Sequence, residues 1–232
     1  MRDSVRGDRY TMQDMYAQHR GGGLYTVNVS QRIGAIVAAL AANRGIHPFV
    51  VTIAGGIIAI LSTAVGGYGG IQGKWQLGIV SLIGWQIAYC FDCADGQLAR
   101  ATGQTSSHGA RLDVLVDFAV HVALVAIIAE IVVTLSGGRP ALVGAFGAIW
   151  LVNLFTSVLS SGEDKARIVR SNSLFVQAGK VVRDYGAMLL VLGILISFWA
   201  TAVLYFMYTY LVLNGLILVL SIYKAAKLSV ED

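Results

Sequence analysis

The stretch Cys90–His121 reads CFDCADGQLARATGQTSSHGARLDVLVDFAVH, and its four aspartates decide how the rest of the chain is read. Asp92 and Asp95 are three residues apart, and Asp113 and Asp117 are four apart. On a helix either spacing puts both side chains on one face. Apolar sequence flanks the stretch: Trp75–Phe91 carries no charge, and Phe118–Gly138 carries only Glu130. Residues 101–108 are few and rich in Ser, Thr and Gly, so the flanking helices are expected to be antiparallel neighbours. The four carboxylates then converge at one edge of a membrane.

Four carboxylates at close range repel one another in surroundings that already disfavour charge. A divalent cation relieves both problems. All-oxygen ligation suits Mg²⁺, Mn²⁺ or Ca²⁺ and not zinc, and Mg²⁺ commonly pairs with a phosphate-bearing substrate. Gly96 and Ala99 follow Asp92 by four and seven residues on the same face, where small side chains let a ligand approach the backbone. Arg100 can neutralise phosphate.

Composition places this cluster in a lipid-embedded chain. Of 232 residues, 56% are apolar and 13% charged, against about 25% charged in a soluble domain. The mean hydropathy is +0.69. Two cysteines make no disulfide framework, and the net charge of +4 reads as a topology signal rather than a nucleic-acid one. The apolar runs are Gly45–Gly73, Trp75–Phe91, Phe118–Gly138, Pro140–Gly162 and Tyr185–Tyr223. The last is too long for one crossing at 1.5 Å per residue and is expected to turn near Trp199–Ala202. That predicts an all-α membrane protein with six spans. If both termini are cytoplasmic, only Lys74 and Arg139 of the 17 Lys and Arg lie outside, as the positive-inside rule requires. Residues 1–44 are expected to form a cytoplasmic arm, with no secretory signal, and an amphipathic interfacial helix over Tyr25–Ala42. The helix sets Val27, Ile33, Ile36, Val37 and Leu40 against Asn28, Gln31, Arg32 and Asn43. Residues 45–228 are the transmembrane catalytic domain, and 229–232 a tail.

The string Asp92-x2-Asp95-Gly96-x2-Ala99-Arg100-x8-Gly109-x3-Asp113-x3-Asp117 resembles the signature of the CDP-alcohol phosphotransferases. Eight positions match with that family's spacing. Members have six transmembrane helices and an N-terminal interfacial helix, and their first span often opens Pro-Asn-x-x-Thr. Here the corresponding residues are Pro48-Phe49-Val50-Val51-Thr52, with Phe49 in place of the asparagine.

The resemblance implies transfer of a phosphoryl-alcohol group from a CDP-alcohol, with CDP-diacylglycerol as the donor, to a hydroxyl acceptor, with release of CMP in phospholipid biosynthesis. It implies one or two Mg²⁺ or Mn²⁺ ions on Asp92, Asp95 and Asp113. Asp117 is the general base and a possible further ligand. Gly96, Ala99, Arg100, Gly109, Thr52 and Pro48 would form the nucleotide site. It also implies a homodimer. The acceptor would be a small polar or phosphorylated alcohol, for which Lys165, Arg167, Arg170, Lys180 and Arg183 could supply an anion pocket; positive-inside anchoring accounts for the same residues. Gly- and Ala-rich spans suggest a bacterial cytoplasmic membrane, with the site facing the cytoplasm.

Two other functions share part of this pattern. A cation-coupled transporter would also use intramembrane carboxylates, but here all four aspartates cluster at one end, and no paired broken helices recur in two halves. A family member using a soluble CDP-alcohol and a lipid acceptor differs only in substrate. Cys90-x-x-Cys93 has redox spacing without the βαβ context of a redox fold, so buried packing is expected. His121 reads as a hydrogen-bonded buried histidine, with a role beside the carboxylates as the alternative. Glu130 lies about 20 Å along the helix from Asp117, away from the site. Gly55-Gly56 and Gly66-Gly67 are expected to ease helix packing.

Overall fold

The computed structural model describes residues 9–159 and 184–231, and all regular structure among them is helical. A short helix α1 (Met12–Tyr16) is followed by a π-helical turn (Thr26–Ser30) that runs directly into α2 (Gln31–Asn43). The long helices follow: α3 (Pro48–Ile71), α4 (Trp75–Ala101), α5 (Ser107–Ser136), α6 (Pro140–Leu159), α7 (Tyr185–Phe198) and α8 (Val203–Glu231).

Local chemistry sets the ends that matter for the site. α3 opens on Pro48, at a position where a missing N–H leaves no bond unmade, and His47 Nδ1 accepts from the Phe49 N–H at 3.3 Å. α4 stops ahead of Gly103, whose φ of +68° is a left-handed conformation that a side chain would strain. α5 starts after Ser106, whose hydroxyl accepts from the Gly109 N–H at 3.0 Å. The expected break between the last two spans is present: α7 ends at Phe198, and a 3₁₀ turn over Ala200–Ala202 leads into α8.

Four helical segments are long and apolar enough to cross a membrane: Pro48–Ile71, Trp75–Ala101, Ser107–Ser136 and Ala200–Tyr223. Pro140–Thr156 and α7 are shorter apolar helices. The protein is thus an integral membrane protein whose described regular structure is all helical. Two helices exceed the apolar runs that announced them. α4 continues ten residues past Phe91, and α5 begins eleven residues before Phe118. The aspartates therefore lie within helices. Asp95 is held there by the Thr52 hydroxyl of α3.

α4 is the central element, packed against α2, α3 and α7. Close approach depends on the glycine pair of α3. A Cβ on Gly55 would stand 3.0 Å from Cβ of Phe91 on α4, and one on Gly56 would collide with Val116 on α5. Gly66 and Gly67 repeat the arrangement against Ser81 and Ile127, so both pairs serve packing as expected. Trp85, Leu124, Ile128, Leu192 and Met207 are completely or almost completely buried between the helices, and the Trp85 indole N–H donates to Thr63 Oγ1 at 2.9 Å.

From Arg9 the arm packs against the bundle. Thr11 and Asp14 form a reciprocal capping box on α1, and Met15 is fully buried against Ala35, Ala38 and Leu98. α2 lays its small residues, Gly34, Ala35, Ala38 and Ala39, inward and leaves Ile33, Ile36 and Leu40 about half exposed. A helix with one protein-facing and one exposed apolar face suits the plane of a membrane surface.

Candidate active site

α4 and α5 both pack against α3, and their aspartate faces meet beside it. Asp92, Asp113 and Asp117 each offer a carboxylate oxygen, and these oxygens lie within 4.8 Å of one another. At that separation two unit charges repel by roughly 3–4 kcal/mol at an effective dielectric of about 20. Opposite ligands on a cation with metal–oxygen bonds of about 2.0–2.6 Å stand about 4–5 Å apart. The trio therefore fits one hard divalent cation, and such an ion would relieve the repulsion.

Asp95 sits beside this trio in a different bonding environment. It is buried, and the Thr52 hydroxyl donates to it from α3. The same hydroxyl lies 3.2 Å from the Pro48 carbonyl oxygen. Asp95 lines a narrow cleft together with Asp92 and Asp117, and a wider one together with Asp113, so it stands where the two meet.

That wider cleft, of about 230 Å³, brings together Pro48, Thr52, Gly96, Ala99, Arg100 and Gly109. These are the six residues that the family resemblance grouped for a nucleotide. Gly96 matters sterically: a Cβ there would stand 3.0 Å from a terminal guanidinium nitrogen of Arg100. Arg100 Nε donates to the Gln18 carbonyl at 2.8 Å, which ties the arm to the site. Arg20 and His47 also line this cleft. Sequence reasoning did not find them, because a lone arginine in a polar arm carries no spacing signal.

A second cleft, of about 370 Å³, opens on the other side of Asp92 and Asp117. Its walls come from α6, α7 and α8 and include Trp150, Asn153, Tyr185, Tyr210 and Asn214. Trp150, Asn153, Tyr185 and Asn214 carry no signal in the sequence, where they fall in runs that read as plain spans. His121 Nδ1 lies 2.8 Å from the Asp117 carbonyl oxygen, and its ring stacks on Tyr185 at 4.8 Å, so it is buried and hydrogen-bonded as expected. Cys90 and Cys93 are buried free thiols, which matches the packing role. Glu130 is exposed on α5. Lys165, Arg167, Arg170, Lys180 and Arg183 lie outside the described residues.

Behind these clefts a polar junction joins the arm to α7. Asp184 is buried and accepts from the Thr26 N–H at 2.9 Å and the Thr26 hydroxyl at 2.6 Å. Thr26 Oγ1 also lies 3.0 Å from the Tyr89 hydroxyl.

The CDP-alcohol phosphatidyltransferase family model matches residues 45–226, well over half of the chain. No curated protein matches the sequence.

Proposed function

The chain belongs to the CDP-alcohol phosphatidyltransferase family, and from that premise we propose that it moves a phosphatidyl group from CDP-diacylglycerol to a hydroxyl acceptor and releases CMP. Membership makes it a transferase of phosphate-containing groups that uses a CDP-alcohol and an alcohol acceptor. The observation that carries the finer reading is the trio of carboxylates converging within 4.8 Å, beside a cleft lined by Arg100 and floored by Gly96 and Gly109.

Asp92, Asp95, Asp113 and Asp117 would hold one or two Mg²⁺ or Mn²⁺ ions, with Asp92, Asp113 and Asp117 close enough to share one. Bound there, a divalent ion supplies charge neutralisation for the diphosphate and for the departing CMP. Gly96, Ala99, Gly109, Pro48 and Thr52 admit the nucleotide close to the backbone, and Arg100 faces its phosphates. The Thr52 hydroxyl fixes the Asp95 carboxylate. Asp117 accepts the proton of the acceptor hydroxyl as the new O–P bond forms, which raises the nucleophilicity of a group otherwise weak at neutral pH. A lipid donor keeps its acyl chains in the bilayer while its nucleotide enters the cleft. The protein forms six spans in a bacterial cytoplasmic membrane, as a homodimer, with both termini and the site on the cytoplasmic side. The cations of 165–183 serve this orientation.

Purified full-length protein is expected to bind CDP only with Mg²⁺ or Mn²⁺, to prefer cytidine over adenine nucleotides, and to release CMP from CDP-diacylglycerol when given an acceptor. Binding without metal, or equal affinity for ADP, would overturn this assignment in favour of a cation site of another kind.

A further inference from the structure

The second cleft contains a buried hydroxyl without a partner. Tyr185 Oη is shielded from solvent and makes no hydrogen bond among the described residues. An unsatisfied buried hydroxyl is unfavourable and rare in a folded protein. Its position suggests why it is kept. Tyr185 lines both the narrow cleft that holds Asp92, Asp95 and Asp117 and the larger cleft beyond it. The ring is fixed by stacking on His121 at 4.8 Å and by an edge contact with Tyr89 at 5.1 Å. The Tyr185 ring is therefore held at a set place at the boundary between the two spaces.

The rest of the larger cleft has a consistent chemistry. Trp150 and Tyr210 stack at 5.5 Å and form an aromatic wall. Asn153 and Asn214 add amides, with Asn153 Nδ2 donating to the Asn214 carbonyl at 2.7 Å. No Lys or Arg lines this cleft among the described residues, and Asp92 and Asp117 stand at its inner end. The cations Arg20 and Arg100 line the opposite cleft. Among the described residues, phosphate-binding charge is thus on one side of the carboxylates, while amides, phenols and an indole are on the other.

Building on the family reading of the site, we infer that the cleft between α5, α6, α7 and α8 seats the acceptor, that this acceptor is an uncharged polyhydroxylated alcohol, and that Tyr185 Oη hydrogen-bonds the hydroxyl which Asp117 deprotonates. Aromatic faces take the C–H surface of such a molecule, and the amides and phenols take its hydroxyls. The reacting hydroxyl gives its proton to Asp117 and its oxygen forms the bond to phosphorus. The bond from phosphorus to the CMP oxygen breaks, and CMP leaves with that electron pair.

The test uses the full chain in detergent or nanodiscs with CDP-diacylglycerol and Mg²⁺. Acceptor-dependent CMP release is measured with inositol, glycerol and serine, and with inositol phosphate, glycerol phosphate and a lipid alcohol. CDP affinity is titrated in parallel for every variant. Inositol or glycerol is expected to support release where their phosphate esters do not. Tyr185→Phe, which keeps the ring stack, should lower kcat about tenfold or more with CDP affinity unchanged, the loss of one hydrogen bond to a reacting group. Asn153→Ala should raise the acceptor KM about tenfold and leave the CDP-diacylglycerol KM in place. Release only with phosphate esters, with serine or with a lipid alcohol, or variants whose acceptor KM and kcat match wild type, would overturn the inference while leaving the family reading intact. Loss of metal-dependent CDP binding in the wild-type protein would overturn both.

Discussion

The two sides of the carboxylate cluster are built differently. On the α3–α4–α5 side, the groups that matter sit at fixed spacings on two helices joined by a short turn, and a cation from the motif, Arg100, faces the cleft. On the α6–α7–α8 side, Trp150, Asn153, Tyr185, Tyr210 and Asn214 come from three helices with no shared spacing and no charge. The first side needs dense charge in one place, so its sequence pattern is tight. The second side needs shape and a few hydrogen bonds, and distant residues can supply those.

The sharpest way to break this comparison is at the residue on which both sides converge. Asp117→Asn is expected to lower turnover by about 10²–10⁴-fold, the usual contribution of a general base, while CDP still binds with metal. CMP release beside a CDP titration measures both. Unaltered turnover would remove Asp117 from the chemistry. Chelation with EDTA should abolish CDP binding as well as turnover, and Mg²⁺ or Mn²⁺ should restore both. Recovery with Zn²⁺ alone would contradict the all-oxygen ligand set.

A smaller effect separates the two sides. Arg100→Ala should raise the KM for the CDP donor about tenfold, the value of a charge-assisted contact to phosphate. The acceptor KM should stay within about twofold, the opposite of the split expected for Asn153→Ala. Steady-state kinetics with each substrate varied in turn decide it. If both variants shift both constants together, the division into a nucleotide side and an acceptor side is wrong.

What the sequence disclosed follows the same division. Asp92, Asp113 and Asp117 could be paired from spacing and linker length alone, because 3.6-residue periodicity and a short turn leave little freedom. The break near Trp199 followed from the length of the last apolar run. The helix ends beside the site followed too: with residues 101–108 read as the linker, α4 runs to Ala101 and α5 starts at Ser107. Within α4, Asp95 accepts from Thr52 on α3, while Asp92 meets the carboxylates of Asp113 and Asp117 on α5. Tyr185 and Asn153 gave no sign, since one tyrosine or asparagine in an apolar helix looks the same whether it lines a cleft or faces lipid. Arg20 was hidden for the converse reason, as a cation among other polar residues in a segment that lies before the family match begins.

The arm supplies the finest test of how independent the two sides are. Thr26 lies at the start of the π-helical turn leading into α2, and its hydroxyl bonds Asp184 at the entrance to α7 and meets Tyr89 on α4. Through this junction the arm that carries Gln18 and Arg20 to the nucleotide side is fastened to the helix that carries Tyr185 to the other. Thr26→Val keeps the shape of the side chain and removes only the hydroxyl. Asp184 retains the Thr26 N–H, so the loss should be about 1 kcal/mol, or about 2–4 °C in melting temperature for a chain of this size. If the junction only stabilises the fold, both Michaelis constants should stay as they are. If it also sets the arm over the nucleotide cleft, the donor KM should rise about twofold at unchanged acceptor KM, because Gln18 would hold Arg100 less firmly. The second outcome is the one expected, since the Arg100–Gln18 bond is the direct link between the arm and the cleft. A rise in the acceptor KM instead would show that Asp184 acts through α7, and that the two sides are coupled at their base.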